Sequence, residues 1–322
     1  MKKRPLRLLL VGAVAATLAL TGCANQGTGS TGATDGSSGG KGRIALMMSH
    51  MSNEFVTTVA SAAQARGQEL GYEVTVFDGK QDASTQVGQI EQAVSQGYNG
   101  ILVEPVSTDG VMPGLLAAND AGVPIATIVQ KASDQSKAAA YIGGDEVNAG
   151  RLQMEKAAAA IGGSGDIAVL WGPLGSDAQL ARKQGYDAVL AQNPGIRIAF
   201  DSSANWVTAE ALTTVENWLS TGADIKAVVA QNDAMAVGAA QAVANAGKTG
   251  QIQVFGIDAT ADGIAAIKAG TVQGTVSQDT PGIGRLGVET MVSIIGGQQV
   301  EPEVLTTAQW VTKDNVDAFA GK

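Results

Sequence analysis

The chain has one cysteine, Cys23, and one histidine, His50, in 322 residues. A single thiol excludes an intramolecular disulfide, and the same counts exclude a metal site built on Cys and His. A Ser-His-Asp or Cys-His arrangement would have to use His50. No G-x-S-x-G elbow, H-E-x-x-H helix or P-loop is present. Aromatic residues make up only 4%. Basic residues are outnumbered, 21 Lys and Arg against 30 Asp and Glu, and the net charge of −9 argues against a nucleic-acid partner. What remains for hydrolysis is a carboxylate pair acting on a glycoside, with Asp258 and Glu104 as candidates. Nothing local marks either as perturbed. The expectation is a protein that is not an enzyme and carries no cofactor or metal.

The first residues read as a targeting segment. "MKKRPLR" is basic, "LLLVGAVAATLAL" is a short apolar run, and "LTGC" follows, ending at Cys23. The run is too short for a comfortable membrane span and ends like a cleavage site. "LTGC" resembles the bacterial lipobox. In that family of signals the cysteine is lipidated and becomes the new N-terminus. Residues 1–22 are therefore expected to be a lipoprotein signal peptide, and Cys23 the attachment point for lipid on an extracytoplasmic protein at the cell membrane. Losing 1–22 would remove Lys2, Lys3, Arg4 and Arg7 and no acid, so the mature chain would be more acidic still.

Residues 23–42 are rich in Gly, Ser and Thr and read as a flexible linker. "GTGSTG" within it, Gly27 to Gly32, matches G-x-G-x-x-G by letter. It lacks the preceding strand and following helix that the dinucleotide fingerprint needs.

From Arg43 a regular alternation begins. "RIALMMS", "YEVTVF", "GILVEP" and "VPIATIV" read as buried strands. Val56, Val59, Ala60, Ala63 and Leu70 mark one intervening helix face. After Asp145 the pattern restarts with "DIAVLW", "IRIAF", "KAVVAQ" and "IQVFGID". Strands alternating with helices predict parallel sheets covered on both faces, and two runs predict two similar α/β lobes.

Ligands of such sheets bind beyond the carboxyl ends of the strands. The residues there are His50, Asn53 and Phe55; Glu104; Gln130 and Lys131; Trp206; Asn232 and Asp233; Asp258; and Gln278. Amides and carboxylates suit the hydroxyls of a polyhydroxylated molecule, and Phe55 and Trp206, one from each half, could sandwich its apolar face. Other roles stay open. Phe55 fits a core, Asn53 fits a helix N-cap, His50 fits a rim contact, and Lys131 fits a solvated charge. Trp171, Trp218 and Trp310 fall in strand or helix patterns and read as structural.

"SNEF" (52–55), "AQNDAMAVGA" (230–239), "VFGIDATADG" (254–263) and "GTVSQDTPGIG" (274–284) carry a resemblance over residues 43 to about 316. There the chain resembles the periplasmic ribose-type sugar-binding proteins of ABC transporters, with the type I periplasmic-binding fold. Sugar repressors share that fold but start with a DNA-binding helix-turn-helix, where this chain has the lipoprotein-like segment.

The resemblance implies two doubly wound parallel-sheet lobes joined by a three-stranded hinge, with the ligand cleft between them. Crossings would fall near Gly144, Gln278 and Thr306. One lobe would hold 43–144 plus 279–306, the other 145–278 plus 307–322. Asn53, Phe55, Trp206, Asn232, Asp258 and Gln278 match the family's ligand positions, which leaves Asp233 as the helix cap. Where the family often has Asp-Arg after the fourth strand, this chain has Val129 and Gln130, followed by Lys131. Where an Arg often follows the sixth, the matching position is Leu180, with Arg182 two residues on. Val56 replaces a second aromatic. Losing guanidinium forks removes bidentate donors, so a different pentose, a linear or cyclic polyol, or a less hydroxylated ligand fits the pattern. The implied partners are a monosaccharide or polyol and an ABC permease, with the binding protein a monomer. The alternative is a receptor of the same fold feeding a sensor kinase or chemoreceptor.

Overall fold

The computed structural model describes residues 40–319. Residues 1–22 and Cys23 lie outside them, as do most of the linker and residues 320–322. Among the described residues no helix is long and apolar enough to cross a membrane.

Two six-stranded sheets form the frame. The first contains β1 (Gly42–Met48), β2 (Tyr72–Asp78), β3 (Gly100–Val103), β4 (Ile125–Ile128), β5 (Tyr141–Gly143) and β11 (Glu303–Leu305), in the order β2-β1-β3-β4-β5-β11. The second contains β6 (Ser164–Trp171), β7 (Gly195–Ser203), β8 (Ile225–Ala230), β9 (Gln253–Asp258), β10 (Gly274–Ser277) and β12 (Gln309–Val311), in the order β7-β6-β8-β9-β10-β12. All pairings are parallel except that of β10 with β12. In each sheet the strand order reverses beside the first strand, between β1 and β3 or between β6 and β8. These are the switch points where such sheets open a crevice.

The buried runs follow from cover on both faces. Along β1, Ile44, Leu46 and Met48 enter one core while Ala45 and Met47 enter the opposite one. Along β6, Ala168 and Leu170 face one core, and Ile167 and Val169 the other. This is the period of two of a strand with helices above and below. The helices are α1 (Glu54–Leu70), α2 (Ala83–Ser95), α3 (Met112–Asp120), α4 (Glu146–Ala160), α5 (Asp177–Leu190), α6 (Thr208–Ser220), α7 (Asp233–Asn245), α8 (Ala261–Ala269) and α9 (Thr280–Ile295). The predicted face of α1 is buried at Val56, Val59, Ala60 and Ala63, and Leu70 is half-buried at its end.

Three short strands were not legible as strands. β5, β11 and β12 have three residues each, too few to show a period. β7 also runs on through Asp201–Ser203, polar residues that read as the following loop.

The chain changes sheet after β5, after β10 and after β11. The changeover segments are bonded to one another. Thr306 donates its N–H to Gly143 O (2.8 Å) and its hydroxyl to Gln278 O (2.9 Å). The Tyr141 hydroxyl donates to Gly144 O at 2.9 Å.

Candidate functional site

The carboxyl ends of both sheets face one cavity of about 30 Å³. From the first sheet it is lined by His50, Asn53 and Phe55 after β1, Glu104 after β3, and Val129 and Gln130 after β4. From the second it is lined by Ala178 and Arg182 of α5, Trp206 after β7, Asn232 after β8, and Asp258 ending β9.

Two amides at the cavity are helix caps. Asn53 caps α1, its Oδ1 accepting the Val56 N–H at 3.2 Å. Asn232 caps α7, its Oδ1 accepting the Met235 N–H at 2.9 Å. Each cap uses only the carbonyl oxygen, so the amide nitrogen is left for other work. The expectation that Asp233 would be the cap is corrected. Asp233 is fully buried, accepting the Thr260 N–H (2.9 Å) and the Thr275 hydroxyl (2.7 Å). It ties α7 to the segment after β9 and to β10, while Asn232 in extended backbone turns its side chain back onto the helix start.

Arg182 is the site's guanidinium. It is 4% exposed, its Nε donates to Glu146 Oε2 at 2.7 Å, and its Nη1 donates to Gln231 O. Its guanidinium carbon stands 5.6 Å from the centre of the Trp206 ring. Leu180, the position matched from sequence, is 49% exposed and does not line the cavity. Two residues along a helix are about 200° apart, so 180 and 182 point in nearly opposite directions. Ala178 and Arg182, four apart, share a face, and that spacing was the signal available. The close α4–α5 crossing sets the depth of this face. A methyl group added to Gly150 would fall 2.3 Å from Arg182 O.

Trp206 is 6% exposed, with φ of +64° after Asn205 at +50°. Val129 (φ +66°) and Asp258 (φ +130°) also border the cavity. Positive φ in non-glycine residues costs of order 1–3 kcal/mol and persists only where the surroundings over-determine it. At Val129 they do: its N–H donates to Ile142 O (2.8 Å) and its carbonyl accepts from the Tyr141 hydroxyl (3.1 Å). Gly172 makes room for the indole, because a methyl there would lie 2.0 Å from the Trp206 ring.

The ionisable groups are perturbed mainly by burial. Glu104 accepts the Ser49 N–H at 2.9 Å and a long bond from Gln130 Nε2 at 3.4 Å. Burial pushes its carboxyl up to about 7, opposed by these bonds. Burial lowers His50 to about 4, against the attraction of Asp78. Ser52 N–H reaches His50 Nδ1 at 3.2 Å, so Nδ1 is the acceptor and the neutral ring carries its proton on Nε2. Asp258 is raised well above the carboxylate range by burial, with Arg182 pulling the other way.

Two more expected residues, besides Leu180, stand elsewhere. Gln278 is buried behind the wall, and its Nε2 donates to Asp258 Oδ1 at 2.8 Å. Lys131 points away, pairing with Glu303 at 2.6 Å over the Tyr141 ring. The two sides are also bonded directly. Glu54 Oε1 and Oε2 accept the N–H groups of Ala261 (3.0 Å) and Asp262 (3.2 Å). Gln81 Nε2 donates to Asn205 O (3.0 Å), and Lys131 N–H to Asp177 Oδ2 (2.9 Å). Among the described residues no group of three His, Cys, Asp or Glu is placed to hold a metal ion.

Paired doubly wound sheets with a polar, aromatic-flanked cavity between their carboxyl ends define a two-lobed solute-binding protein of the type I periplasmic-binding fold. The chain belongs to the family described as periplasmic binding protein domain, which matches residues 44–299. It is 34% identical to the xylitol-binding protein of Mycolicibacterium smegmatis, over 95% of this chain and 86% of that protein. It is 30% identical to a ribose import binding protein of Bacillus subtilis, over 81% of this chain and 84% of that one. An ABC transporter solute-binding protein from Bacillus halodurans, solved with bound myo-inositol, superposes with a TM-score of 0.83 at 32% identity, covering 87% of this chain and 98% of that one.

Proposed function

We propose that the chain is the extracytoplasmic solute-binding protein of an ABC importer, holding a monosaccharide or polyol in the cavity between the sheets and presenting it to a permease. The observation that carries this reading is convergence. Asn53, Glu104 and Gln130 from one sheet, and Arg182, Asn232 and Asp258 from the other, meet at one cavity beside Phe55 and Trp206. Hydroxyls both donate and accept, and this set offers both, while the two rings suit the C–H faces of a sugar or polyol. An unmatched hydroxyl among such buried groups costs about 1–3 kcal/mol, which is how the site would choose its ligand. Gln278 acts by holding Asp258, and Lys131 and Leu180 take no part.

The family consists of binding proteins, and relatives named for xylitol and for ribose import support transport over the signal-receptor alternative. Residues 43–144 plus 279–306 and 145–278 plus 307–322 would move as two bodies about the segments joined by Thr306. Ligand contacts to both would favour the closed arrangement, since only differential affinity shifts such an equilibrium. Cys23 would carry the lipid anchor, and the protein would work as a monomer.

The test is a thermal-shift screen of the chain against pentoses, hexoses, polyols and furanosides. A ligand at a hundredfold excess over its Kd adds about 2.7 kcal/mol of stability. A hit that disappears in Asn232→Ala and Asp258→Ala supports the reading. A panel without hits, or a hit indifferent to both substitutions, sinks it.

A further inference from the structure

The inner cavity is not alone. A larger chamber of about 370 Å³ meets it, and Asn53, Phe55, Trp206, Asn232 and Asp258 line both. The remaining walls come mainly from the first turns of α6, α7 and α8 and the approach to α1. They mix small apolar side chains, Ala209, Ala234 and Val237, with the hydroxyls of Ser52 and Thr208.

Charge restricts what this chamber suits. No Lys or Arg lines it, and its ionisable side chains are acids: Asp258 on the wall shared with the inner cavity, and Glu54 and Asp262. A phosphate or carboxylate would meet the charges of Glu54 and Asp262 with no Lys or Arg to offset them, and the N–H groups of Met235, Ala261 and Asp262 at the starts of α7 and α8 are already bonded to Asn232 and Glu54. A cation would find Glu54 already committed to two backbone N–H groups of α8. A neutral group with oxygen atoms and an apolar face meets neither objection. The inner cavity is only about 30 Å³, but Phe55 and Trp206 border both spaces, so a ring held between them opens onto the larger chamber, where the room for a substituent lies.

We propose that the outer chamber is a second subsite, taking an uncharged O-linked substituent, glycosyl or alkoxy, of a sugar or polyol whose body lies between Phe55 and Trp206. The natural ligand is then a substituted molecule rather than the bare monosaccharide or polyol. This rests on the sugar or polyol reading of the inner site and adds to it. Val237 and Ala209 line the outer chamber only, so the two subsites can be changed separately.

The test is isothermal titration of the full chain with two matched sets. One holds D-ribose, xylitol and myo-inositol. The other holds methyl β-D-ribofuranoside, an O-glucosylated xylitol and a galactosylated myo-inositol. Expected is a substituted compound that binds at least as tightly as its parent. Val237→Trp, which fills the chamber, should weaken that compound by about tenfold or more and leave the parent unchanged. Ala209→Trp, at an exposed position, repeats the test should Val237→Trp fail to fold. A parent that binds while every substituted partner fails would overturn the subsite and leave the inner site standing. So would tryptophan variants that affect both sets equally. If no compound of either set binds, the carbohydrate reading itself falls and takes the subsite with it.

Discussion

Glu54 opens α1 beside the first sheet, yet its Oε1 accepts the N–H of Ala261, which opens α8 beside the second, at 3.0 Å; Oε2 takes the next N–H, of Asp262, at 3.2 Å. One carboxylate thus satisfies two otherwise unpaired donors at the positive end of another helix. The bond exists only while the two sides are together. Glu54→Ala should therefore loosen the closed arrangement by about 1 kcal/mol, roughly fivefold in Kd, and mostly through faster dissociation. Stopped-flow release with any ligand found in the screen checks this. An unchanged off-rate would show that the contact does not hold the cleft shut.

Arg182 and Leu180 make a contrast within one helix. Removing the Arg182 side chain leaves the Glu146 carboxylate, 4% exposed, without its ion-pair partner. Arg182→Ala should cost about 3–5 kcal/mol in urea unfolding. Leu180→Ala should stay within about 0.5 kcal/mol and leave ligand binding intact. The double variant Arg182→Met with Glu146→Gln should recover much of the loss, because no buried charge remains unpaired.

Stability should depend on pH through Glu104. Its carboxyl is held near 7 in the folded chain against 4.5 for the ordinary group. A raised acid favours the fold fully below the unfolded value, and the benefit is lost as pH rises toward the folded value. Glu104→Gln, which keeps a neutral side chain, should gain on wild type between pH 4.5 and 7, by up to about 3 kcal/mol. His50 works in the opposite sense, being lowered from 6.5 to about 4, so its contribution is present above 6.5 and lost as pH falls toward 4. Urea midpoints from pH 4 to 8 separate the two. A difference between Glu104→Gln and wild type that does not change with pH would refute the assignment.

Asn232 and Asp233 should part company. Asn232→Ala loses a helix cap, about 1 kcal/mol, together with an amide facing the cavity, so binding suffers more than folding. Asp233→Ala strands the Thr260 N–H and the Thr275 hydroxyl in a buried place, a cost of about 2 kcal/mol or more, while the folded fraction should bind as before. Comparing ligand Kd with unfolding free energy for each variant decides the matter, and equal losses of affinity would undo the division of labour.

The reach of the sequence reading can be traced residue by residue. Strands such as β1, β3 and β8 were legible because burial on both faces leaves a continuous apolar run. The cavity residues His50, Asn53, Phe55, Glu104, Gln130, Trp206, Asn232 and Asp258 were legible because a parallel sheet delivers every strand end to the same edge. Arg182 was misjudged in favour of Leu180 because it lies inside a helix, where rotation about the axis decides what faces the cavity. Gln278 and Lys131 follow strands of the right sheets, but hydrogen bonding draws one behind Asp258 and an ion pair draws the other toward Glu303.

By itself, then, the sequence determined the two α/β repeats, their parallel sheets and most of the polar groups set at their ends, since these follow from local periodicity and chain order. The tertiary structure decided which groups share one cavity, which of two adjacent residues caps a helix, where the guanidinium points, and that a second chamber adjoins the first. Those outcomes depend on distances between residues far apart in the chain, and no local pattern encodes them.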